Sequence, residues 1–169
     1  ALPIYGIASF QLEFNLRHAM VLPGHGNYYK LKPNGVSLLE VATLTTLQGQ
    51  VAADLCGGVL DNAGVYLYPA RGESLLPYLG LNSDATSGGP VMTALLQAAT
   101  DSTAASYRLD YVNAGSYDLQ LVCNASEDEV LDSGNSDFVP TIGSSQLGID
   151  VDPAVANPQV IDLTEVPIT

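Results

Sequence analysis

Tryptophan is absent from the 169 residues, histidine and cysteine occur twice each, and lysine plus arginine total five. Each shortage closes a class of function. Five cations against eighteen carboxylates leave a net charge of −13. Nucleic-acid binding needs basic side chains that displace counterions from phosphate, and this surface repels phosphate. An anionic membrane face is disfavoured for the same reason. No apolar run approaches eighteen residues, so no stretch reads as a membrane span. Neither a CxxC pair nor a Cys/His cluster is present, so a structural zinc site has no support. The acidity reads most simply as a device for solubility.

What the chain has in quantity is short alternating segments. Hydrophobic residues make up 47% and charged residues 14%, which places it among folded chains of ordinary domain size. The stretch 115–123 sets the pattern. Tyr117, Leu119, Leu121 and Cys123 fall on one side of a two-residue repeat, with Ser116, Asp118 and Gln120 on the watery side and Val122 as the exception. Residues 9–17 alternate most cleanly: Phe10, Leu12, Phe14 and Leu16 against Gln11, Glu13, Asn15 and Arg17. The apolar residues 1–8, with Pro3 and Gly6, read as an extended arm. Further strands are predicted at 28–32, 36–41, 44–53, 64–68, 106–112, 144–151 and 158–166. Turn residues separate them at Pro23–Asn27, Pro33-Asn-Gly35, Gly57-Gly58, Asp61-Asn62 and Asp152-Pro153. Residues 71–89 read as a long loop and 125–137 as an acidic one. Segment 91–98 suits helix or strand; a hairpin connection through Asp101-Ser-Thr103 favours strand. Eight or more short strands without alternating helices predict an antiparallel β-sandwich with an N-terminal strand or arm.

Cys56 and Cys123 in a lysine-poor, β-rich chain predict one disulfide and an oxidising compartment, the alternative being two buried thiols. Such a bridge closes a loop of roughly 70 residues and contributes about 4 kcal/mol in the chain-entropy model. No charged and apolar leader opens the sequence, so Ala1 is read as a mature N-terminus left after signal-peptide removal.

Three motifs in order carry a resemblance. Gly49-Gln-Val51, Ala63-Gly-Val-Tyr-Leu67 and Tyr111-Val-Asn-Ala-Gly-Ser-Tyr-Asp-Leu119 resemble the pattern of carboxypeptidase-regulatory-like domains, which are prealbumin-like, immunoglobulin-like β-sandwiches. Phe14-Asn-Leu-Arg17, Tyr29-Lys-Leu-Lys-Pro-Asn-Gly-Val36 and Ala114-Gly-Ser-Tyr-Asp-Leu-Gln-Leu-Val-Cys-Asn124 resemble a bacterial lipoprotein family of unknown function. The resemblance implies N-terminal arm and strands over 1–42 and a carboxypeptidase-regulatory-like sandwich over 43–169. Its lipid-anchored cysteine does not carry over, because neither Cys56 nor Cys123 lies near the N-terminus.

Candidate chemistry is sparse. Thr86-Ser-Gly-Gly-Pro90 echoes a trypsin-like protease signature, but the aspartate is replaced by Thr86, and a serine nucleophile needs a histidine oriented by a carboxylate. His18 and His25 stand seven apart across a strand end and a glycine loop, which is no recognised ligand spacing. Asp128, Asp132 and Asp137 are weak Ca²⁺ candidates: hard oxygen ligands without the EF-hand order. No other cofactor is implied. In the bacterial chain that the resemblance implies, the Asn124-Ala-Ser126 sequon is not expected to matter. Tyr66, Tyr68, Tyr107, Tyr111 and Tyr117 lie on strand patterns, where core packing competes with ligand stacking.

The expectation is therefore a non-enzymatic extracellular or cell-surface structural protein. Its N-terminal strand is suited to β-augmentation, with Phe10, Leu12, Phe14 and Leu16 filling a neighbour's core and the chain polymerising with itself or joining other surface proteins. The alternative is pairing within its own subunit. A second class is a ligand- or carbohydrate-binding module on loops 71–90 and 125–137.

Overall fold

Valine, leucine and tyrosine at alternate positions favour pleated, half-buried backbone, and the computed structural model shows twelve strands among the residues it describes. It describes residues 8–14, 20–21, 28–31, 33, 36–70, 89–98, 104–128 and 138–164. The strands are β1 (Phe10–Phe14), β2 (Met20–Val21), β3 (Lys30–Leu31), β4 (Val36–Glu40), β5 (Leu44–Val51), β6 (Gly64–Pro69), β7 (Met92–Leu95), β8 (Gln97–Ala98), β9 (Ala105–Asn113), β10 (Gly115–Val122), β11 (Ile142–Val151) and β12 (Gln159–Val160).

Two four-stranded sheets, ordered β11-β10-β6-β7 and β12-β5-β9-β8, form the sandwich. All of their strands come from the chain after Thr43. Pairing is antiparallel except where β12 runs parallel to β5, a departure from the expected pattern. The segment 91–98 is strand in two pieces: β7 pairs with β6, and β8 crosses to pair with β9. Sheet pairing thus overrides the helical preference of its alanines and leucines.

The inward positions of both sheets make one core: Leu47 and Val51 of β5, Val65 and Leu67 of β6, Tyr107 and Leu109 of β9, Leu119 and Leu121 of β10, Ile149 and Val151 of β11. Val122, the break in the alternation, belongs to a second cluster with Tyr66, Tyr68, Ala125 and Phe138. Tyr66 and Tyr68 alternate with Val65 and Leu67, so β6 is buried on both faces.

Asp118 was expected on the watery side of β10 and is buried instead. The register slips between the Tyr117–Ile149 and Leu119–Gln146 pairs, leaving Leu147 and Gly148 opposite Asp118. Gly148 takes a φ of 67°, and the Asp118 carboxylate accepts its amide hydrogen at 2.8 Å. Removing that acceptor leaves a bulge donor unsatisfied, so Asp118→Ala is expected to lower stability by ~1–3 kcal/mol. Urea denaturation checks this; an unchanged midpoint counts against the bulge-pinning role.

Burial pushes the Tyr68 and Tyr107 hydroxyls well above their ordinary ionisation range, with Asp128 adding to the shift at Tyr68 and Asp162 at Tyr107. Unfolded tyrosines ionise near pH 10, whereas these stay protonated beyond it. Their contribution is therefore whole below about pH 10 and is lost as pH rises above it. Each loses about 1.4 kcal/mol per pH unit, so pH 11 is expected to remove ~2–3 kcal/mol. Denaturation midpoints at pH 9 and 11 read the difference.

Candidate functional site

Outside the two sheets, β1 pairs antiparallel with β4 in a two-stranded ribbon. Phe10 faces Glu40, Leu12 faces Leu38, Glu13 faces Ser37 and Phe14 faces Val36. The Val41 amide donates to the Ser9 carbonyl at 2.8 Å, extending the ladder by one bond. A 3-10 turn at Val41–Thr43 then carries the chain into β5. The Ala114 amide donates to the Thr43 carbonyl, so this junction sits against the β9–β10 turn.

The ribbon's polarity is the reverse of an ordinary sheet cover. Its apolar side faces solvent: Phe10 is 56% exposed, Leu12 50%, Phe14 46% and Leu38 67%. Gln11, Glu13 and Leu39 are half-buried. Register explains this: Glu13 and Ser37 are a cross-strand pair, so both side chains emerge on the same face.

Beneath that face lies a cleft of about 200 Å³. Glu13 and Ser37 of the ribbon, Leu67, Val91 and Met92 of one sheet edge, and Tyr111, Val112, Asn113 and Tyr117 around the β9–β10 turn line it. Burial raises the Glu13 carboxyl above the usual carboxylate range. Burial likewise raises Tyr117, whose hydroxyl donates to the Asn113 carbonyl at 3.1 Å. Tyr111 occupies the left-handed region at φ 64°. It does so because Asp110 and Tyr111 together oppose Thr46 in a bulge between β5 and β9. Next to it, Arg108 and Thr46 both hydrogen-bond Asp110, and the arginine, as the leading cause, holds that carboxyl below its ordinary value.

The remaining sequence candidates are scattered. Cys56 and Cys123 form a disulfide with Cα atoms 5.3 Å apart, joining the 3-10 turn Leu55–Gly58 to the end of β10. Phe10, Leu12 and Phe14 share the outer ribbon face, while Leu16 lies outside the described residues. Asp128 is buried and accepts the Tyr66 hydroxyl at 2.5 Å, facing the protein interior. Asp132, Asp137, His18, His25 and Thr86–Gly88 lie outside the described residues, as does most of the two loops read as ligand sites. Among the described residues, no group of three His, Cys, Asp or Glu side chains converges to hold a metal ion. No described helix is long and apolar enough to cross a membrane. Tyr66, Tyr68 and Tyr107 are core residues; Tyr111 is exposed.

Sequence reasoning missed the cleft. Glu13 and Ser37 read as ordinary solvent positions until register makes them neighbours, and a left-handed tyrosine has no signature in composition. Neither protein-family models, nor curated proteins, nor solved structures match this chain.

Proposed function

We propose that the chain is a non-enzymatic structural protein of a bacterial surface or extracellular matrix, and that copies assemble through the β1–β4 ribbon. The observation that carries this reading is the outward apolar face of Phe10, Leu12, Phe14 and Leu38. Contiguous exposed apolar side chains mark an interaction surface rather than a solvated one. The inner ribbon face is half-buried and lines the cleft beside the sandwich, so the outer face is the one left to cover.

A second copy is the partner that charge favours. Residues 1–42 carry Arg17, Lys30 and Lys32 against Glu13 and Glu40, a net +1, which leaves −14 on residues 43–169. A near-neutral N-terminal module set against the acidic body of the next copy avoids the repulsion that two acidic bodies meet. Such a head-to-tail contact is heterologous and repeats without closing, which generates fibres. Because β1 is paired with β4, the unit presented to a neighbour is the ribbon rather than a lone strand. The disulfide suits an exported protein, in keeping with the resemblance to a bacterial lipoprotein family.

Burying a leucine contributes about 1.5–3 kcal/mol, so Leu12→Asp is expected to weaken assembly at least tenfold. Negative-stain images of the purified protein are expected to show fibres, which deletion of residues 1–17 abolishes. Fibres that persist after the deletion, or an unaltered monomer before it, overturn the reading.

A further inference from the structure

We infer that the cleft between the ribbon and the sandwich is a binding site for a primary alkylammonium group, whether of a small free amine or of a lysine side chain. Its walls divide as such a ligand requires. Leu67, Val91, Met92 and Val112 offer an apolar floor for an alkyl stem, and Glu13 supplies an anion near the ribbon side. Tyr111 and Tyr117 bring two aromatic rings to the same lining. A cation beside an aromatic face gains from the ring quadrupole, and gains more when a carboxylate shares the site.

The state of Glu13 points to a missing cation. Its carboxyl loses hydration to burial, which raises it above the usual carboxylate range. Among the described residues the one ion pair joins Arg108 to Asp110, so no described cation compensates Glu13. A half-buried carboxylate without a partner is costly, and a cation entering the cleft removes that cost. Anionic ligands meet Glu13 and the net charge of −13, which also draws cations towards the surface. A bare divalent ion is a poor fit, because one carboxylate falls short of the six to eight oxygens that calcium takes.

Size sets the ligand class. Pockets for drug-sized molecules run from about 300 Å³ upwards, and this one is about 200 Å³. It holds roughly six waters' worth of space, enough for a short alkyl chain with its ammonium head. Strain lies in the same place: Tyr111 holds a φ of 64° and is an exposed residue of the lining. Backbone strain of this kind concentrates at ligand clamps.

Saturation-transfer difference NMR tests the inference on the 169-residue chain, assembled or not, because it reads ligand protons. The probes are n-butylammonium chloride, n-butanol as the uncharged control, and the peptide amide Gly-Lys-Gly. Butylammonium is expected to saturate with a dissociation constant on the order of millimolar, with n-butanol at least about fivefold weaker. Glu13→Gln is expected to weaken butylammonium by a similar factor while leaving n-butanol unchanged. Tyr111→Gly suits the backbone angle, so it keeps the fold while removing a ring, and it too weakens butylammonium. Peptide binding tighter than butylammonium assigns the site to a lysine side chain, and the reverse assigns it to a free amine. Equal saturation by butylammonium and n-butanol, or butylammonium binding indifferent to Glu13→Gln, overturns the inference. None of these outcomes depends on whether copies assemble.

Discussion

Replacing Cys56 and Cys123 together by serine is expected to lower the melting temperature by ~8–16 °C. The two cysteines lie 67 residues apart, and the open loop restores about 4 kcal/mol of chain entropy to the unfolded state. At this chain length each kcal/mol corresponds to about 2–4 °C. Local packing acts in the same direction. A Cβ on Gly143 would stand 2.8 Å from each sulfur, so β11 lies directly against the bridge. The register also slips between Leu121 and Val122, which brings Gly143 into that position. Serine oxygens fill less space than the sulfurs, and the surrounding side chains lose contacts. Calorimetry of the double variant beside reduced wild type makes the measurement. A loss below about 1 kcal/mol would show that the unfolded chain is already constrained without the bridge.

Gly49→Ala is expected to cost a similar amount, ~3–5 kcal/mol. A Cβ there would lie 1.8 Å from the Ile161 carbonyl oxygen and 2.9 Å from the Tyr107 ring. Neither neighbour is free to retreat. The Ile161 carbonyl accepts the Tyr107 hydroxyl at 2.7 Å, and the Ile161 amide donates to Gln48 at 2.9 Å. Leu163 is held on both sides, its amide donating to Gln50 and its carbonyl accepting from Ala52. A methyl group at position 49 therefore lifts the whole segment 159–163 from β5, exposing Leu163, which is fully buried. Urea denaturation gives the size of the loss, and amide exchange at Ile161, Leu163 and Ala52 gives its location. Faster exchange confined to those amides is the expected pattern; a loss spread evenly over β9 and β10 would contradict it.

These two sites show where sequence patterning reaches and where it stops. Alternation located β9 and β10, because a strand with one buried face must repeat every second residue, and the same repeat marked β1 and β6. It also identified the inward set Leu119 and Leu121 with the disulfide beyond them. It misassigned Asp118, whose burial follows from a bulge in the partner strand rather than from anything in its own segment. Val122 stood out as an anomaly and proved to be the anchor of a second cluster on the opposite face. The requirement for glycine at position 49 comes from a carbonyl 112 positions away in sequence, and the parallel docking of β12 depends on the same long-range pairing. For the N-terminal strand, periodicity identified Phe10, Leu12 and Phe14 as one face without saying which way that face points. Only its pairing with β4 turned Glu13 inward and the aromatic side out. The cleft was illegible for the same reason, since its lining is drawn from six strands.

Sedimentation velocity over a range of concentrations, with wild type beside the double variant Leu12→Asp, Leu38→Asp, tests ribbon-mediated assembly most directly. The expected result is wild-type species that grow with concentration. The double variant is expected to sediment as a folded monomer throughout. A wild-type chain that stays monomeric at every concentration, or a double variant that assembles as well as wild type, would contradict assembly through the apolar face of β1 and β4.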